Sequence, residues 1–180
     1  MKFTFLQFIL HLIGLFFTTV PVKKNNLLTK FKEWGPTYEI KFDITVTKFK
    51  DGLSNVFRFV KEETGGRLNK FIRLMIFHSK QEIVFEDNRI GNLQVPIYHQ
   101  IPIKKNKKYQ IEIRTIKDPS ANANQYKFEI LVDGDYKSKH KIEKSPAPLS
   151  DVLLYASDND PFDSSLGLLE SFSVSTTKNM

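Results

Sequence analysis

From Tyr38 to Thr47 the chain alternates without a break: Tyr38, Ile40, Phe42, Ile44 and Val46 are apolar, and Glu39, Lys41, Asp43, Thr45 and Thr47 are polar. A period of two puts one set on each face of an extended strand, the pattern of a strand half-buried against a core. The alternation returns at Tyr126, Phe128, Ile130 and Val132. Asp133-Gly134 and another extended run follow, which predicts a hairpin closed by a tight turn that needs positive φ. Strands are predicted near 37–47, 54–60, 70–77, 81–86, 95–101, 107–116, 124–132, 135–142, 151–156 and 167–176. Gly65-Gly66, Asp87-Asn88, Gly91-Asn92, Asp118-Pro119-Ser120 and Ser145-Pro146-Ala147-Pro148 mark turns between them. Short strands in quick succession, with no amphipathic helix between them, predict an all-β antiparallel sandwich rather than a βαβ fold. Parity assigns Phe42, Phe57, Phe128 and Phe172 to its core. Ahead of the first strand, Leu27, Leu28, Phe31 and Trp34 are expected to pack a leading segment against the sheet.

With 180 residues the chain fits one domain and can bury a core without staples. It has no Cys, which excludes disulfides, thiolate zinc sites and cysteine nucleophiles together. Met1-Lys2 forms a short basic start, and Phe3 to Phe17 is apolar except for Thr4, Gln7, His11 and Gly14, the length of a signal-peptide apolar region. A buried helix and an uncleaved anchor are the competing readings, but a span wants about 20 apolar residues and Gln7 and His11 interrupt this run. The expectation is therefore a secretory signal over 1–20, a single binding domain over 21–180, an extracellular location and no membrane span in the mature chain. Removing residues 1–20 takes away only Lys2 among the charged side chains and leaves +6, from 26 Lys and Arg against 20 Asp and Glu. No Asn-x-Ser/Thr sequon occurs, so N-glycosylation is not expected.

Tyr155-Ala-Ser-Asp158, followed by Pro161 and Gly167 and then by Leu169, Phe172 and Val174, resembles the end of the concanavalin A-like jelly-roll domains. These are the lectin/glucanase superfamily, including the laminin G-like domains of secreted invertebrate proteins. Earlier segments agree in order. Trp34 before Tyr38-Glu-Ile-Lys-Phe-Asp-Ile44 is similar to the first core strand of that family, Asn55-Val-Phe-Arg-Phe59 to the second, and Tyr126 to Gly134 to the hairpin before the final strands. The resemblance covers residues 30–176. It implies two stacked antiparallel sheets with the first and last strands adjacent, and recognition of a glycan or an extracellular protein. Where many relatives place a Trp before the strand at Ile111 and Ile113, this chain has Lys108-Tyr109, a departure that removes any surface role for that Trp.

Glucanases on this fold carry alternating acids along one strand, since a retaining pair sits about 5 Å apart across the scissile bond. Glu39 and Asp43 share a face by parity, but no third acid follows within the strand, and surface charge is the simpler reading; the expectation is that the chain is not an enzyme. Asp158, Asp160 and Asp163, with Ser157 and Asn159, put several hard oxygens in one loop, a candidate calcium site. The competing reading makes Asp158 a turn residue and leaves its neighbours solvated; no other cofactor is implied. His78, His99 and His140 fall on separate strands without paired spacing, so no histidine metal site is expected.

The lysines carry more. Lys137, Lys139 and Lys141 alternate and so share one face of a regular strand, while Lys104, Lys105, Lys107 and Lys108 crowd the loop before another strand. Each group alone reads as a solvated surface or an edge guard. Together, on a basic secreted domain, they form a candidate patch for an acidic glycan. Nucleic acid is not an expected partner, because no basic motif interleaved with aromatics is present. The reading that follows is a secreted, non-catalytic, lectin-like module that binds an extracellular glycan or protein. A glycan-cleaving hydrolase of the same fold and a structural matrix or adhesion component are the alternatives.

Overall fold

The computed structural model describes residues 12–21, 26–62, 68–88, 97–118, 125–142, 145–156 and 168–177. They form twelve strands: β1 (Leu12–Pro21), β2 (Asn26–Trp34), β3 (Tyr38–Thr45), β4 (Leu53–Glu62), β5 (Leu68–Phe77), β6 (Glu82–Asp87), β7 (Ile97–Pro102), β8 (Lys108–Lys117), β9 (Tyr126–Val132), β10 (Asp135–Ile142), β11 (Leu149–Ala156) and β12 (Leu168–Thr177). They make two six-stranded sheets, β1-β12-β3-β8-β9-β10 and β2-β11-β4-β5-β6-β7, antiparallel throughout. The expected jelly-roll sandwich is what the chain adopts. Both C-terminal strands are inserted strands: β11 lies between β2 and β4, and β12 between β1 and β3.

The alternation read from the sequence is the burial pattern of the fold. Along β3, Tyr38, Ile40, Phe42 and Ile44 are buried and the residues between them are half-exposed. Phe42, Phe57, Phe128 and Phe172 are all essentially inaccessible, as parity assigned them. Phe57 meets Phe42 and Phe172 edge-on, with centroids 5.4 and 5.6 Å apart. Burying a side chain of this size contributes about 1.5 to 3 kcal/mol. A second cluster surrounds Trp34, which packs on Phe59 at 4.5 Å, Phe31 at 5.1 Å and Tyr38 at 5.5 Å. One polar tie joins the sheets through this core: the Tyr38 hydroxyl on β3 donates to Asp87 Oδ2 on β6, 2.7 Å away.

Two strands were not predicted. In β2 the buried positions are Phe31 and Trp34, three apart, and the pairing with β11 is interrupted between Leu154 and Tyr155, so no clean period of two is left to read. In β1, part of the apolar run expected to serve as a secretory signal pairs with β12 from Leu12↔Thr177 to Pro21↔Leu168. Phe17 packs on Phe172 at 6.2 Å and Val20 is buried. Ile, Phe, Val and Thr serve equally well as a hydrophobic leader and as an edge strand, which is why composition does not separate the two.

Candidate functional site

The jelly roll has one side where β7, the outer strand of its sheet, faces β10, the outer strand of the other. A cleft of about 510 Å³ opens there, between the loop that joins β7 to β8 and the tip of the β9–β10 hairpin. The loop is held by its backbone: Ile103 N donates to Gln81 O, Asn106 N to Val46 O at positive φ, and Lys104 N to the Tyr109 hydroxyl, each at 2.8 Å. The hairpin tip is the Asp133-Gly134 turn, with φ of 53° and 85°, as a two-residue turn of this hand requires. Asp133 fastens the tip to β8: its amide donates to Gln110 O at 2.8 Å and its Oδ1 accepts from Gln110 N at 2.9 Å. The Gln110 amide, with the Lys107 ammonium beside it, holds the Asp133 carboxyl below its ordinary range.

Lys104, Lys107 and Lys137 line this cleft, with Tyr109 and Val132 also in its wall. The two lysine groups, about thirty residues apart in sequence, thus converge. Lys107 lies 3.4 Å from Asp133 and over the Tyr109 ring at 4.5 Å, and Lys137 lies 3.5 Å from Asp135. Lys104 has no ion pair among the described residues. Three ammonium groups against two carboxylates leave the wall positive, and the buried Tyr109 presents no free ring for stacking.

The expected stripe of three lysines on one face is not what forms. The β9–β10 register shifts between Tyr136 and Ser138, a bulge that turns Lys137 out of the alternation and into the cleft wall. Lys139 pairs across the sheet with Glu129, and Lys141 with Lys127, so these two remain on the outward face. Lys105 is exposed in the loop, and Lys108 turns to the outward face as well. There it reaches Glu170 at 2.5 Å and Asp43 at 3.0 Å, and those two carboxylates hold its ammonium above the ordinary lysine range. Asp158, Asp160 and Asp163, the candidate calcium ligands, lie outside the described residues.

Further along the same open side His99 on β7 and His140 on β10 meet, with ring centroids 4.9 Å apart. Sequence spacing gave no hint of this pair, because it is made by two sheets closing on each other. His99 also stacks on Phe128 at 5.4 Å and approaches Ser138 Oγ at 3.4 Å. Burial, with the neighbouring His140 adding to it, pushes the His99 pKa down to about 4.

The outward face of β3, β8, β9 and β10 is a row of alternating charges. Lys41 bridges Glu39 at 3.0 Å and Glu112 at 3.6 Å, and Arg114 bonds Glu112 at 2.7 Å and Glu129 at 2.8 Å. Lys139 closes the row on Glu129 at 3.6 Å. Glu39 and Asp43 do share this face, as parity required, but each sits against a lysine, Lys41 and Lys108 respectively.

The chain matches no protein-family model and no curated protein. Solved structures do resemble it. The carbohydrate-binding module CBM40 of a Ruminococcus gnavus IT-sialidase, bound to α2,3-sialyllactose, is 11% identical; the match covers 92% of this chain and 93% of that one with a TM-score of 0.55. HCR/D-Sa-GBL1/C is 14% identical over 77% of this chain, at a TM-score of 0.51, and the chain spans only 32% of its length. An alginate lyase in complex with an alginate trisaccharide is 12% identical, covering 89% of this chain and 81% of that one, at a TM-score of 0.48. The fold is therefore of the concanavalin A-like jelly-roll type. One expectation is corrected: the chain was expected not to be an enzyme, yet alginate lyases and a sialidase are among the solved structures that resemble it, beside a carbohydrate-binding module. The physical reason is that reactive groups sit on sheet faces and loops that vary independently of the strands beneath, so this fold does not argue against catalysis.

Proposed function

We propose that the chain is a glycan-recognising jelly roll of the secreted laminin G-like kind, and that the cleft beside the β9–β10 hairpin holds an acidic unit of its ligand. The observation that carries this reading is the convergence of Lys104, Lys107 and Lys137 on one cleft, with Lys104 unpaired among the described residues. A carboxylate or sulfate entering there gains charge-assisted hydrogen bonds from lysines whose backbone the loop and the turn hold in place. The solved carbohydrate-binding module of similar fold was captured with a sialylated sugar, which agrees with this choice of ligand class. Secretion is supported by the basic start and the apolar run over residues 1–20; cleavage there would take β1 off the sheet and leave β12 as its outer strand. The protein recovered from medium is expected to begin near Pro21 on N-terminal sequencing, and recovery of Met1 from a membrane fraction would reject it.

The direct test is retention on a heparin-type column against salt. At about 0.15 M ionic strength the Debye length is about 8 Å, so attraction by exposed lysines is screened progressively. Replacing Lys104, Lys107 and Lys137 by Ser should shift elution to lower salt, while Lys139→Ser with Lys141→Ser shifts it less. Equal retention of the parent and the triple variant would reject the cleft. A protein surface would then become the better ligand.

A further inference from the structure

Lys137 and Tyr136 are consecutive, with Cα atoms about 3.8 Å apart, and point to opposite sides of the hairpin; the bulge between Tyr136 and Ser138 brings Tyr136 onto the same outward face as Lys139. Tyr136 pairs with Leu131 on the outward face, while Lys137 lines the cleft. Tyr136 is 56% exposed, one of three large apolar side chains left open among the described residues. Its ring is nevertheless held. Arg114 Nη2 donates to the Tyr136 hydroxyl at 3.2 Å, Lys139 Nζ stands over the ring at 5.5 Å, and Arg114 is itself clamped between Glu112 and Glu129. An exposed aromatic would ordinarily be free to change rotamer; this one is fixed by groups that are themselves fixed, which removes much of the ordering cost of binding on it.

We infer that Tyr136 is a stacking platform for a sugar ring, so that the ligand is an oligosaccharide straddling the tip of the β9–β10 hairpin, with its acidic unit in the cleft and a neighbouring pyranose over Tyr136. This rests on the anion reading of the cleft and adds to it a minimum length of two units. A pyranose presents a face of C–H groups to an aromatic ring and its hydroxyls around the rim. Arg114 and Lys139, both in contact with Tyr136, put donors beside the ring. The buried Tyr109 cannot serve this purpose inside the cleft, where recognition is left to charge alone.

The test uses the full folded chain and two probes, inorganic sulfate and a heparin-derived tetrasaccharide, followed by isothermal titration and by the NMR shifts of the tyrosine ring protons. Tyr136→Ala should bind sulfate within about twofold of the parent but lose on the order of tenfold in affinity for the tetrasaccharide. Tyr136→Phe, which keeps the ring, should restore most of that loss, and the Tyr136 ring protons should move with the tetrasaccharide and stay still with sulfate. Lys137→Ser should weaken both probes. A tetrasaccharide affinity unchanged by Tyr136→Ala, with Lys137→Ser still weakening it, would overturn the platform and leave the cleft standing. Failure of the parent chain to bind either probe would overturn the cleft and the platform together. Circular dichroism and melting temperature of each variant establish that the fold is unaltered.

Discussion

Phe128→Ala is the sharpest probe of how the open side of the sandwich is held. Phe128 is fully buried on β9, stacked on Phe85 of the opposite sheet at 5.5 Å with an interplanar angle of 18°, and on His99 at 5.4 Å. Truncation removes the transfer free energy of the ring and leaves a cavity between two sheets that cannot close fully, together about 3 to 5 kcal/mol. The stacked contacts contribute about 0.5 to 1.5 kcal/mol of their own and push the expected value toward the upper half of that range. Phe128→Leu, which refills much of the space, should lose distinctly less. The assay is urea denaturation with the slope m held in common, so that the midpoint reports stability. A second readout follows from the geometry: without Phe128 over it, His99 becomes wetter and its depressed pKa should climb back toward the ordinary 6.5, visible by NMR titration of the ring. A loss under about 1 kcal/mol, or a His99 titration unmoved by the truncation, would refute the packing argument.

Acid should weaken the fold through the same histidine. With a folded pKa near 4 and an ordinary value of 6.5, the unfolded chain takes up a proton between those limits that the folded chain refuses. Stability therefore falls as pH drops through that window and levels off below it. The full shift corresponds to about 3 kcal/mol, discounted to about 1 to 2 kcal/mol because His99 is only half-buried; His99→Phe should flatten the slope of melting temperature against pH there. Tyr38→Phe removes the donor to Asp87 across the sheets and should cost about 1 to 3 kcal/mol by the same denaturation assay, a value near zero showing that Asp87 is served by its other contacts. Gly35→Ala places a Cβ 1.9 Å from the carbonyl oxygen of Thr177, so backbone must move, and a melting temperature within a degree of the parent would contradict that close approach. At Gly134 the space is open but φ is +85°, and Gly134→Ala should cost about 1 kcal/mol through backbone strain alone.

Most of the strands were legible because one face of each is wet: β3 and β8 alternate in chemistry as they alternate in burial, and β9 does so except at Glu129, buried beneath Arg114 and Lys139. β4 shows the limit of that rule. Val56, Phe57, Arg58, Phe59 and Val60 are buried in succession, and its presence was marked only by its apolar run. The site was half legible. The lysines were found by charge and parity, but parity assumes an unbroken ladder, and the single bulge at Lys137 moved it from the stripe to the cleft. The pairing of His99 with His140 had no local signal at all, since it exists only between sheets.

The placement of β11 and β12 sets the order in which this molecule can be completed. During synthesis, everything up to Pro148 can emerge while β2 and β4 still lack the strand that belongs between them, and β3 still lacks one neighbour. Hairpins such as β9–β10 and the ladder β4-β5-β6-β7 can form on the nascent chain, but neither sheet is continuous until its last inserted strand arrives. With translation near 5 to 20 residues per second, the final thirty residues represent a few seconds in which several strand edges stand open, followed by closure through contacts of very long sequence separation, the slow class of folding event. A chain stopped before Leu149 would keep most of its side chains and still leave both six-stranded sheets broken, with β1 and β2 cut off from the four-stranded blocks beside them.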